Sequence, residues 1–223
     1  MTAGAPVPGP SERLMRGSQT PRRLIVWRHG ETTHNAAGIW QGQLDTELSD
    51  RGRDQVRVAA HALRSQTPVL LWSSDLRRAR ATAEALADVT ELSVRTDERL
   101  REIHVGEWQG LTAGDVAERS PDIQEKIARG EDPARGVTGE TVAQVVLRTR
   151  EAVAEFVEHL APGGTGVIAT HGVTGRAIVA DLAQIDQRVA WMSLAGLHNA
   201  HWAELVEHRF GWRISRWNAG APS

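Results

Sequence analysis

What this chain of 223 residues lacks narrows its chemistry before any motif is read. It has no cysteine, so disulfide staples, thiolate zinc sites and a thiol nucleophile are excluded in any compartment. Lysine occurs once, as Lys126, so arginine supplies almost all of the 26 basic residues and an arginine in a motif is informative only through its neighbours. Neither sign of charge prevails. A net charge of -2 offers no basic footprint to nucleic acid or to an anionic membrane. Residues 1–22 hold no apolar run of the kind a signal peptide or membrane span requires. Rich in Pro, Gly, Ser and Arg, they read as a disordered leader on a cytoplasmic protein. No composition shift marks a second domain, and no internal repeat is visible. A single domain is expected over residues 23–217, with a short tail over 218–223.

What is present is an alternation of strand and helix signals. Leu24–Trp27, Val69–Trp72 and Val167–Ala169 are short continuous apolar runs, the mark of parallel strands covered on both faces. Val56, Ala59, Ala60 and Leu63 form a helical stripe behind Ser49 as N-cap, and Leu76, Ala79, Ala83 and Leu86 form another. The longest stripe runs from Val142 to Leu160 and is stopped by Pro162-Gly163-Gly164. A short strand is expected around Leu92–Arg95, and two more over Ala200–Val206 and Trp212–Trp217 at the sheet edge. The polar, Gly-rich stretch from Leu111 to Gly139 is placed as a small cap excursion over the sheet. The sum is an α/β fold, a three-layer α/β/α sandwich with a mainly parallel central sheet.

In such a sheet, ligands sit beyond the carboxyl ends of the strands. The first strand ends on Arg28-His29-Gly30-Glu31 and a later one on His171-Gly172. A third runs through Ser73 and Ser74 into a helix whose first turn carries Arg77, Arg78 and Arg80. A lone histidine is more often structural and a lone arginine more often solvated, so the convergence carries the weight. Glu102 follows the short strand and brings a carboxylate.

Five stretches, in order, resemble the histidine phosphatase superfamily, the phosphoglycerate mutase-like family: RHGET at 28–32, SSDLRRARATAE at 73–84, LREIHVGEWQG at 100–110, GET at 139–141 and THG at 170–172. Within it, WQGQLDTELSDRG and the tail GLHNAHWAEL…WNA look closest to actinobacterial glucosyl-3-phosphoglycerate phosphatases and their broad-specificity relatives. The resemblance implies hydrolysis of a small phosphomonoester, a sugar or glycerate phosphate included, through a phosphohistidine. No cofactor and no metal are implied, and a homodimer is left open. Mutase-type phosphoryl transfer and a non-catalytic phosphate-binding module are the alternatives. The short 111–139 segment speaks against the first, and retention of all five chemical residues against the second.

The chemistry fits those residue types. His29 suits the nucleophile, because a backbone carbonyl accepting its second N–H would fix the tautomer that aims a bare nitrogen at phosphorus. Gly30 is expected to supply a tight turn. Arg28 and Arg78 offer forked donors to the phosphoryl oxygens, and His171 adds a third positive group when protonated. The resemblance places the proton donor at Glu102, with Glu107 as its rival, and phosphate or substrate contacts at Asn35, Gln41, Gly42 and Gly172. Glu31 is expected to organise its loop, Glu140 with Arg148 to form a structural ion pair, and Trp40 and Trp108 to wall the pocket. His198 and His201 are not read as a metal pair.

Overall fold

The computed structural model describes residues 20–221, so the leader expected over 1–22 lies almost wholly outside the described residues. Of its last residues, Arg22 is already fastened, with Nη1 on Glu207 at 3.0 Å and Nε on the Leu160 carbonyl at 2.7 Å.

The chain forms the α/β/α sandwich expected. Strands β1 (Arg23–Arg28), β2 (Pro68–Ser73), β3 (Val94–Thr96), β4 (Thr165–Thr170), β5 (Trp202–His208) and β6 (Gly211–Ala219) make one sheet in the order β3-β2-β4-β1-β5-β6. The first four are parallel, while β5 and β6 run antiparallel at one edge. Eight α-helices are found among the described residues: α1 (Thr33–Ala36), α2 (Asp50–Arg64), α3 (Arg77–Thr90), α4 (Ala113–Arg119), α5 (Pro121–Ala128), α6 (Val142–His159), α7 (Gly172–Leu182) and α8 (Gln187–Ser193). None of them is long and apolar enough to cross a membrane.

Alternation along β1 divides the core between the two faces. Ile25 and Trp27 pack with Val56, Ala59, Leu63, Ala83 and Leu86 of α2 and α3, whereas Leu24 and Val26 pack with Val153, Phe156, Ile178 and Val179 of α6 and α7. A third cluster lies under the segment expected as a cap. Val116 of α4 and Ile127 of α5 join Ile103, Val105 and Trp108 on the Val142–Val145–Val146 stripe of α6. That excursion is therefore anchored by a core of its own.

The helix signals hold for stated reasons. Ser49 caps α2 by accepting from the Gly52 N–H at 3.0 Å, and Thr141 opens α6 with a capping box to Gln144. The sequence pattern does not announce α7 or α8, and β6 runs to Ala219, past the 217 boundary.

The chain leaves β1 toward α2 on one face and leaves β4 toward α7 on the other, which opens a crevice at the carboxyl ends of two neighbouring strands. The loop after β1 rests directly on α2. Gly30 does not need a left-handed turn; instead its Cβ would stand 2.6 Å from the Gly52 carbonyl oxygen. The contact is reciprocal, since a Cβ on Gly52 would stand 1.9 Å from the Glu31 carbonyl oxygen. Helix propensity favours Gly52→Ala by about 1 kcal/mol at most, while overpacking costs about 1–3 kcal/mol. Because the clash is with backbone, packing should win. Gly52→Ala is expected to lower the thermal unfolding midpoint and reduce activity together, and a midpoint at or above that of the parent chain would show that the loop yields freely.

Candidate active site

Sheet register builds the site. Arg28 pairs with Thr170 across β1 and β4, and the His29 N–H donates to the Thr170 carbonyl at 2.9 Å. The next residues, His29 and His171, thus leave the sheet side by side, with ring centroids 5.2 Å apart in a T-shaped arrangement. His29 Nδ1 lies 2.7 Å from the carbonyl oxygen of Gly30. A carbonyl only accepts, so Nδ1 carries the proton and Nε2 is left bare. His171 Nε2 lies 2.9 Å from Ser74 Oγ, at the end of β2. The Leu76 N–H donates to the same oxygen at 3.3 Å; with the hydroxyl donating to Nε2, the ring proton of His171 stands on Nδ1.

Both arginines are held by carbonyls. Arg78, in the first turn of α3, donates from Nη1 to Leu44 O at 2.6 Å and from Nη2 to Gly42 O at 2.7 Å. Arg28 donates from Nη1 to Leu197 O at 2.5 Å. Among the described residues, four buried side-chain polar atoms have no partner, and three of them belong here: Arg28 Nε, Arg78 Nε and His171 Nδ1. Two guanidinium N–H donors with nothing to donate to, beside an unpartnered imidazole nitrogen, are what a multiply charged oxyanion satisfies.

Burial sets the charge states. It pushes the His29 imidazole well below its usual range, and the nearby Arg78 and Arg28 charges push the same way against the weaker pull of the Gly30 carbonyl. His171 is lowered likewise, by burial first and then by Arg78, His29, Arg148 and Arg28. Burial brings Arg78 down to about 10, partly offset by Glu102 and Asp45. At neutral pH the site therefore holds two guanidinium cations and two neutral imidazoles. His171 is not a third positive group in the free site, because desolvation outweighs any gain from charging it.

The cleft, about 330 Å³, is lined by Arg28, His29, Asn35, Gln41, Gly42, Arg78 and Glu102, with Trp40, Val105 and Val173 among its walls. Glu102 closes one side. Its Oε1 accepts from the Thr174 N–H at 3.0 Å, and Oε2 from the Val173 N–H at 3.2 Å, which seats the carboxylate on the first turn of α7. Glu107 is exposed and outside this lining. Asn35 Oδ1 is taken by the Thr32 N–H and by Asn199 Nδ2, and Gln41 Oε1 by the hydroxyls of Thr32 and Thr46. Each amide thus keeps its NH2 as the donor available to the cleft. Gly42 sits at φ +52° and turns its carbonyl onto Arg78. Gly172 opens α7 beside the Arg28 guanidinium, 3.5 Å from where its Cβ would be.

Other expectations sort as follows. Trp108 is buried behind Trp40, ring centroids 5.2 Å apart, with Nε1 on Ser120 Oγ, so it backs the wall rather than forming it. Glu31 accepts from Ser49 Oγ at 2.9 Å and organises its loop. His198 and His201 meet edge to face with ring centroids 5.2 Å apart, and His201 Nδ1 contacts the Asn218 carbonyl. Sequence reasoning missed Ser74, Thr82, Thr174 and Asn199. Thr82 accepts from the Gly30 N–H and donates to Arg78 O, one helical turn back, a spacing visible in RRARAT. Asn199 bonds His29 O and Asn35 Oδ1 from the loop of GLHNAHWAEL, a stretch that carried the resemblance but gave Asn199 no role.

Residues 24–220 match the family model described as histidine phosphatase superfamily (branch 1). The chain is 39% identical over 216 residues to glucosyl-3-phosphoglycerate phosphatase of Mycobacterium tuberculosis, covering 90% of this chain and 96% of the relative. It is 31% identical over 169 residues to phosphoserine phosphatase 1 of Hydrogenobacter thermophilus, covering 76% and 80%. A solved mycobacterial glucosyl-3-phosphoglycerate phosphatase with VO3 superposes with a TM-score of 0.82 at 41% identity, covering 89% of this chain and all of that one.

The two buried histidines make stability depend on pH. Unfolded, each titrates near about 6.5; folded, each titrates well below that. The unfolded state therefore binds more protons as the pH falls through about 6.5, so the contribution is fully present above that pH and is lost below it. The unfolding midpoint is expected to drop from pH 7.5 to pH 5.5, and His171→Asn to drop less over the same range. An equal drop in both proteins would assign the acid sensitivity to other groups.

Proposed function

The chain belongs to the histidine phosphatase superfamily and is a phosphatase, and from that premise we propose that His29 takes the phosphoryl group of a small phosphomonoester while Glu102 protonates the leaving oxygen. The observation that carries this reading is the 2.7 Å bond from His29 Nδ1 to Gly30 O, which leaves Nε2 bare in a cleft that the buried Arg78 and the half-buried Arg28 also line.

His29 Nε2 attacks phosphorus as the bond to the substrate alkoxide breaks, and the Glu102 carboxyl gives its proton to that oxygen. Arg28, Arg78 and His171 Nδ1–H donate to the phosphoryl oxygens, on which charge reorganises in the transition state, and Asn35 and Gln41 add amide donors. The Glu102 carboxylate then takes a proton from water, whose oxygen displaces His29 and releases phosphate. Side chains supply all the charge this sequence of steps requires.

For the substrate, the names of the relatives support glucosyl-3-phosphoglycerate or a related sugar or glycerate phosphate. The Trp40 ring in the wall offers an apolar face of the kind on which a sugar stacks. Phosphate release across a panel of monoesters, glucosyl-3-phosphoglycerate and phosphoserine included, tests the choice. Rapid acid-free quench with labelled substrate should trap phosphate on the protein and lose it in His29→Ala. Label that persists in that variant, or isomerisation of 3-phosphoglycerate faster than its hydrolysis, would overturn the reading.

The acid is tested by leaving groups. Glu102→Gln should lower kcat/KM, which covers the steps up to departure of the leaving group, by about two to four powers of ten on a sugar or glycerate phosphate and far less on p-nitrophenyl phosphate, because a phenolate departs with little help. Equal losses on both substrates would mean that Glu102 only shapes the cleft.

A further inference from the structure

Glu102 lies on a stretch with no regular backbone ladder: residues 102–105 belong to neither helix nor strand. Side chains hold it instead. The Arg99 carbonyl accepts from Arg148, the Leu100 carbonyl from Thr170 Oγ1, the Arg101 carbonyl from Arg148 and Thr174 Oγ1, and the Glu102 carbonyl from Arg148 and Gln43 Nε2. Arg148, two turns into α6, recurs in three of these four.

Its guanidinium is fully spent. Nη1 donates to Arg99 O at 2.7 Å and to Arg101 O at 2.8 Å, Nη2 to Glu102 O at 3.1 Å and to Glu140 Oε2 at 3.0 Å, and Nε to Glu140 Oε1 at 2.8 Å. All five N–H donors of an arginine are thereby used. Glu140 continues the brace on the far side of Glu102. Its Oε2 accepts from the His104 N–H at 2.8 Å, and its own N–H donates to His104 O at 2.8 Å. Burial alone would raise the Glu140 carboxyl, but the bonds from Arg148 and His104 hold it below the usual carboxylate range, so it stays the anion the fork needs. Neither residue lines the cleft.

We infer that Arg148, oriented by Glu140, is a positioning residue for the proton donor: it fixes the backbone on both sides of Glu102 so that the carboxyl meets the leaving oxygen. The inference rests on the reading of Glu102 as the acid. A fork bonded to three carbonyls resists small displacements that a propped loop would allow, and a misplacement of about 1 Å can cost about a hundredfold in rate. The phosphate cradle of Arg28, Arg78 and His29 hangs on other elements and is left alone.

The test is a cycle of Arg148→Lys, Glu102→Gln and the double variant, each measured on glucosyl-3-phosphoglycerate or 3-phosphoglycerate, whichever the parent chain hydrolyses faster, and on p-nitrophenyl phosphate. Lysine keeps the charge but has three donors and no planar fork. Arg148→Lys should lower kcat/KM, which covers the steps up to departure of the leaving group, by about ten- to a hundredfold on the alkyl phosphate and by less than about threefold on p-nitrophenyl phosphate, with vanadate inhibition unchanged. In the Glu102→Gln background it should cost no more than about twofold, because the group it positions is already disabled. Equal losses on both substrates, or the full loss repeated in the double variant, would overturn the inference while a selective Glu102→Gln left the acid assignment standing. A non-selective Glu102→Gln would overturn that assignment and this inference with it. Should Arg148→Lys fold poorly, Glu140→Gln removes the charge with little change of shape and must show the same selectivity on a smaller scale.

Discussion

Two guanidinium groups, Arg78 buried and Arg28 half-buried, stand beside two buried imidazoles and set the terms for the rest of this molecule. Taking a cation out of water costs several kcal/mol unless its donors are met. Arg28 and Arg78 are met by the carbonyls of Leu197, Leu44 and Gly42, and among the described residues neither has a carboxylate in an ion pair. A carbonyl satisfies a donor without cancelling its charge. The positive field therefore survives burial, and it acts at once on the histidines, which stay neutral, and on any anion that enters. A carboxylate partner would have stabilised the arginines more and disabled the site.

The scaffold exists to hold that arrangement still. Parallel pairing of β1 with β4 and of β2 with β4 brings three strand ends level, so His29, His171 and Ser74 are placed by ladder hydrogen bonds rather than by loops. The loops come afterwards and supply acceptors. The segment after α1 delivers the Gly42 and Leu44 carbonyls, and the segment before β5 delivers Leu197 O and Asn199. Backbone contact between Gly30 and Gly52 closes the gap between the β1 loop and α2. Precision at the chemistry thus rests on regular elements, with irregular backbone used where carbonyls must be aimed inward.

The central strands, three of the four long helices and the arginine and histidine cluster were legible in the sequence because each carries an uninterrupted local signal. Leu24–Trp27 could only be a doubly covered strand, and His29 followed it without a spacer. Helix α7 was not legible, for two physical reasons. Gly172 and Gly175 depress its propensity, and its buried residues Thr174, Ala177, Ile178, Val179 and Ala180 surround it enough to erase a one-sided stripe. Gly175 also stands 3.4 Å, at its Cβ position, from Val26 and Leu197, so the feature that hides the helix is what lets it approach the sheet. Asn199 and Ser74 escaped because their importance lies in partners 170 and 97 residues away. Trp108 was misplaced by one layer, since composition names an aromatic but not which side of a wall it stands on.

Helix α7 also joins the two halves of the chemistry. Its first residues follow His171 directly, its first N–H groups hold the Glu102 carboxylate, and its Thr174 hydroxyl reaches the Arg101 carbonyl. The group proposed to bind the phosphoryl oxygens and the group proposed to face the leaving oxygen are therefore referenced to one rigid element, so a displacement of the helix moves both together. What α7 cannot fix is the backbone on the other side of Glu102, which has no ladder of its own, and there the Arg148 fork on α6 takes over. Because α6 and α7 pack side by side through Val153, Phe156 and Ile178 in one core, the two supports of the carboxylate share a single hydrophobic foundation, and the geometry of proton transfer depends on packing well away from the reacting atoms.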